Sequence, residues 1–218
     1  MFVLAVVLGC LTLSVPDASA VSMTLTSAGS NVSGGVYIGP YTATIDGTSF
    51  KVICDDYTAD TYVGETWNAD ASSFSDLSGA KFASSTPAYA GVTSQQAYNM
   101  VGWLAEQLFN NGGNYALASD IQFALWSIFS SAVPPLSAGA QSQLASAYTH
   151  RNDASSLFAN LVVYTPTGST CTSGPCPTWP PQEFIALKTP EPGTLSLLGL
   201  GLSAMVAARR RRRGAVAA

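Results

Sequence analysis

Histidine is nearly absent: His150 is the only one in 218 residues. A Ser/His/Asp or Cys/His mechanism therefore has a single base to draw on. That base sits beside Arg151 at the end of a helical pattern, a place where cations are favoured by the helix dipole. Zinc is disfavoured for a similar reason. Cys54, His150, Cys171 and Cys176 do not form close ligand spacings. The glycines fall in turns and near the C-terminus and make neither a phosphate loop nor a dinucleotide fingerprint. No repeat shows at the periods of solenoid or propeller folds. The expectation is a protein that is not an enzyme and needs no cofactor or metal.

Positive charge is also scarce outside one short block. Five of the nine basic residues are the run Arg209, Arg210, Arg211, Arg212 and Arg213. Between residues 21 and 188 there are four bases and eleven acids, a net −7. An acidic body rich in Ser, Thr, Gly and Ala excludes a polyanionic nucleic-acid partner and suits an extracytoplasmic domain.

The two ends carry what long apolar stretches there are. Phe2 to Val15 is almost wholly apolar, and Ala18-Ser19-Ala20 places small residues at the cleavage-defining positions of a signal peptide, residues 1–20. No Lys or Arg precedes that run. A lipoprotein signal ending at Cys10 is the other reading, with Leu8 where a small residue is usual. At the far end, Pro190-Glu191-Pro192 is followed by the sixteen residues Gly193 to Ala208 and then by the arginines. As a helix this span measures about 24 Å at ~1.5 Å per residue. It reads as a short transmembrane helix whose basic flank stays in the cytoplasm. The order, spacing and terminal position of these three parts closely resemble the PEP-CTERM sorting signal. The resemblance implies an exosortase and the secretion machinery as partners, an inner-membrane precursor, and a cell-surface or extracellular-matrix destination in a Gram-negative bacterium. The expected organisation is thus a signal peptide, an extracytoplasmic domain over 21–188, a sorting tail over 189–213 and a disordered end, 214–218.

The domain itself reads as α+β: a strand-rich body with a helical insertion, plus the C-terminal transmembrane helix. Val36 to Ile38, Tyr41 to Ile45 and Ser49 to Cys54 alternate like strands, with Gly39-Pro40 and Asp46-Gly47 as turns. Tyr57 to Thr66 predicts another strand, and Ala69 to Ala88 a loop. Thr93 and Gln96 have capping-box spacing before a helix that Asn110-Asn111-Gly112-Gly113 stops. A second helix is expected from Asp120 to about Ser130, capped by Ser119. A third runs from about Ala138 to Tyr148, with a continuation over Ala154 to Asn160. Leu161 to Tyr164 and Glu183 to Leu187 read as late strands flanking the loop Cys171 to Cys176, a disulfide in an oxidising compartment.

Cys54 is then unpaired. It ends the strand Val52-Ile53-Cys54, and Gln122, Ala124 and Trp126 follow in a helix with Gln-x-Ala-x-Trp spacing. Over about Val36 to Phe129 the body resembles bacterial thioester domains, adhesin modules that link a cysteine after an early strand to a glutamine in such a helical motif. Ile121 stands where those domains usually have Thr, and Asp55 where they often have an apolar or aromatic residue. The resemblance implies a Cys54–Gln122 thioester that traps a surface amine. The residues also admit an inert matrix or coat protein, with Cys54 a small buried hydrophobe and Gln122 a hydrogen-bonding bridge. Exopolysaccharide is a further partner to weigh. Asp55, Asp56 and Asp60 as paired carboxylates or calcium ligands give the enzymatic alternative, a secreted polysaccharide hydrolase. Neighbours on a strand diverge, so Asp55 and Asp56 are expected to be solvated or turn-capping.

Overall fold

The computed structural model describes residues 20–167 and 180–188. Eight strands and three α-helices follow in the order β1 Val21–Ser27, β2 Val32–Ser33, β3 Val36–Tyr37, β4 Tyr41–Ile45, β5 Thr48–Cys54, β6 Thr66–Ser73, α1 Ser94–Asn111, α2 Tyr115–Phe129, α3 Ala138–Thr149, β7 Leu161–Pro166 and β8 Phe184–Leu187. Six strands close into an antiparallel barrel in the order β1-β4-β5-β8-β7-β6, and β2 and β3 form a separate two-stranded hairpin. All three helices lie between β6 and β7, the expected insertion.

Burial along the strands shows which side of the barrel the helices cover. β4, and β6 over Thr66 to Asp70, alternate buried with more exposed positions, the mark of strands wet on their outer face. β5 ends in three consecutive buried residues, Val52, Ile53 and Cys54, and β7 and β8 have similar runs. The period of two still holds there, divided between two cores. Val52 and Cys54 join the barrel interior with Met23, Trp67 and Phe184, whereas Ile53, Val163 and Ile185 pack outward against α1 and α2. Continuous apolar runs in β5, β7 and β8 thus follow from being sandwiched.

The local signals mostly hold. Asp46 and Gly47, at φ 47° and 80°, make the two-residue turn between β4 and β5. The Thr93–Gln96 capping box forms in full at α1. Three expectations need correction. Tyr57 to Glu65 is a loop, and the strand lies later, at Thr66–Ser73, running into the stretch from Ala69 expected to be a loop. Ser-rich composition hid the alternation of the buried Trp67 and Ala69, and Ser72, also buried, falls on the opposite face. The second helix begins at Tyr115, capped by the Asn114 side chain, so Ser119 lies within it and hydrogen-bonds Ser33 instead. The continuation after α3 is a separate 3-10 turn, Ser155–Phe158, because His150 ends the helix at its C-cap. Among the described residues no helix is long and apolar enough to cross a membrane. The expected spanning segment, the sorting residues Pro190, Glu191, Pro192 and Arg209 to Arg213, the signal peptide, and Cys171 with Cys176 lie outside the described residues.

Candidate functional site

β5 delivers Cys54 to one end of the barrel, and α2 crosses that end with Gln122 facing it. Both side chains are fully buried. The Gln122 carboxamide Nε2 donates to the Cys54 carbonyl at 2.8 Å, across 68 positions of sequence. Its Oε1 accepts from the Gly39 N–H at 3.3 Å. Gly39 allows that approach, since a Cβ there would stand 2.9 Å from Oε1. The Cys54 thiol donates to the Asp56 carbonyl at 3.1 Å, and the Asp56 N–H donates to Sγ at 3.3 Å. Beside the sulfur lies the buried Trp126 indole, whose N–H is turned toward the thiol. Burial pushes the thiol well above its ordinary range, reinforced by Asp56 and Asp55. The sulfur is therefore held as a neutral thiol. Of the residues singled out by the Gln-x-Ala-x-Trp spacing, Ala124 is core, and Trp126 joins Cys54 and Gln122.

A second polar group lies immediately below. Asp55 and Asp56 do diverge, but neither is solvated: both are fully buried. Asp56 caps the next turn, its Oδ1 accepting from the Thr58 N–H and hydroxyl, and its other oxygen pairs with Lys81. Asp55 faces Glu183, which precedes β8. Glu183 accepts from the Tyr98 hydroxyl and the Lys81 N–H, each at 2.7 Å, and from Thr165. Neither Asp55 oxygen has a donor. Burial, then Glu183 and Asp56, push the Asp55 carboxyl well above its usual range, so Asp55 is held protonated. The solvated expectation failed because helices cover the outer face where β5 ends. Asp60 remains exposed at the edge of a neighbouring cleft. Among the described residues no group of three or more His, Cys, Asp or Glu is placed to hold a metal ion.

His150 stacks on Trp103 at 4.8 Å between ring centres, and its Nδ1 is 2.8 Å from Asp153. Its ring is engaged by Trp103 and Asp153 rather than by Cys54. Sequence reasoning missed Gly39, read only as a turn residue, and Glu183, read only as the start of a strand. A buried role for Glu183 was hinted by an acid set directly before the apolar run Phe184 to Leu187.

Comparison with known proteins speaks to the tail. No curated protein and no solved structure matches this chain. Residues 188–213 match the PEP-CTERM protein-sorting motif. These are the residues in which a Pro-Glu-Pro element, an apolar span and an arginine block follow one another. The chain therefore carries a PEP-CTERM sorting tail and is an exosortase substrate, exported and sorted to the cell surface.

Proposed function

We propose that the exported body is an adhesive module whose Cys54 and Gln122 form an internal thioester. The observation that carries this reading is the meeting of the two side chains' residues in a closed interior, with the Gln122 carboxamide fixed at both ends. Formation would join the Cys54 sulfur to the Gln122 side-chain carbonyl carbon and break that carbon's bond to nitrogen. The thiol proton would leave with the nitrogen as ammonia. Because Cys54 is a neutral thiol, sulfur attack and proton transfer must be coupled. The Gly39 N–H already contacts the oxygen on which negative charge would develop, the role of an oxyanion donor. A surface amine would then attack the thioester, forming an amide at Gln122 and returning the Cys54 thiol. Matrix residence and a Gram-negative host belong to this proposal and extend the sorting tail's message.

The same contacts favour a second reading. Gln122 is fully used as a bridge from α2 to β5 and to the turn before β4, which suffices for a purely architectural role. Intact-mass measurement of the exported protein separates the two. The thioester lowers the mass by about 17 Da through ammonia loss. Cys54→Ala or Gln122→Ala should each abolish that deficit. A full, unmodified mass with a titratable Cys54 thiol rejects the reactive reading and leaves the bridge.

A further inference from the structure

A cleft of about 490 Å³ opens over the same end of the barrel, lined by the barrel residues Leu25, Tyr41 and Phe184, by the loop from Tyr57 to Val63, and by Trp126 of α2. We propose that this cleft binds a neutral saccharide chain through the rings of Tyr37, Tyr57, Tyr62 and Trp126 and the carboxylate of Asp60.

Exposure points to the cleft first. Seven large apolar side chains are left exposed among the described residues, and three of them, Tyr37, Tyr62 and Val63, border this one opening. Tyr37 and Tyr62 are 53% and 49% exposed. Apolar surface concentrated at the mouth of a cavity marks a binding site better than scattered exposure does. Tyr57 and Trp126 continue the aromatic lining inward, 5.2 Å apart and tilted by 55°.

Chemistry then selects the occupant. Among the described residues the hydroxyls of Tyr37, Tyr57 and Tyr62 and the carboxylate of Asp60 make no hydrogen bond. The cleft therefore offers ring faces, three groups that donate as well as accept, and one strong acceptor. Among the described residues no lysine or arginine lines it, so a phosphate or uronate would meet only Asp60's negative charge. An ammonium ion would suit the ring faces and Asp60, but it only donates and would leave the phenol donors idle. A neutral sugar uses all of them. Its C–H face lies on the electron-rich rings, and its hydroxyls both donate and accept. The volume lies within the ~300–1,000 Å³ of small-ligand sites and accommodates a short oligosaccharide segment.

This site does not depend on the thioester, and the experiment keeps the two apart. The full chain, purified in a sugar-free detergent, is titrated with cellohexaose, maltohexaose and N-acetylchitohexaose by saturation-transfer NMR and calorimetry. At least one should bind saturably. Tyr62→Ala and Asp60→Asn, both at exposed positions that leave the core intact, should each weaken it by roughly fivefold or more. The bound sugar should wash off on dilution and leave the protein's mass unchanged, unlike a covalent adduct formed at a thioester. The proposal is overturned if none of the three binds at millimolar concentration, if binding survives both cleft variants unchanged, or if butylammonium displaces the bound sugar.

Discussion

Asp55 shows how one residue makes a fold respond to pH. In the unfolded chain its carboxyl ionises near the ordinary value of 3.8, while in the folded protein burial and Glu183 keep the proton on. The folded state then binds more protons than the unfolded one. The stability this contributes is complete below about pH 3.8 and is lost as pH rises toward the folded value. The urea midpoint should accordingly fall as pH rises above about 4, and Asp55→Asn should flatten that dependence. An unchanged slope in the Asn variant contradicts a protonated Asp55 in the folded protein. The residue types at this site were readable from the sequence: Cys54, Asp55, Asp56, Gln122 and Trp126 all stood out. Their surroundings were not readable. Nothing local tells that Glu183, 128 positions after Asp55, returns to face it, because that contact is made by the pairing of β5 with β8.

At the scale of elements, α1 lies against the body so closely that Gly102 is required. A Cβ there would approach Phe74 to 2.8 Å and Phe158 to 3.0 Å. Both rings are themselves buried and cannot swing aside. Gly102→Ala gains up to about 1 kcal/mol of helix propensity but overpacks the contact by about 1–3 kcal/mol. Thermal or urea unfolding should therefore show a net loss of about 1 kcal/mol; a stabilised variant contradicts this packing. Helices with strong punctuation were legible: the capping box of α1 and the Asn-Asn-Gly-Gly stop fall where the pattern put them. Weakly punctuated elements were not. β6 is rich in Ser, Ala and Asn, and its identity comes from pairing with β1 and β7 on either side. The start of α2 was placed too late because Ser119 is a good cap by type, yet Asn114 occupies the cap by position.

For the whole molecule, the sorting tail governs where the fold operates. Replacing Pro190, Glu191 and Pro192 by alanines should leave an unprocessed precursor in the membrane fraction, detected as a larger species on an immunoblot. Normal cleavage and export of that variant contradicts exosortase recognition at this motif. Tail and body were unequally legible for a physical reason. A sorting signal is a linear order of residue types, so it survives in the sequence alone. A barrel is a set of pairings between distant strands, and strand order leaves no local trace.

β8 is the last described strand, and it alone joins β5 to β7. Five barrel strands and three helices precede it in the chain, and until it pairs, the seam between β5 and β7 stays open, with bare backbone on both sides. Closure waits for Phe184 to Leu187, which directly precede the sorting motif beginning at residue 188. Closing strand and sorting signal are thus neighbours in the chain: whatever holds the residues after 188 also sets how freely β8 can reach β5 and β7.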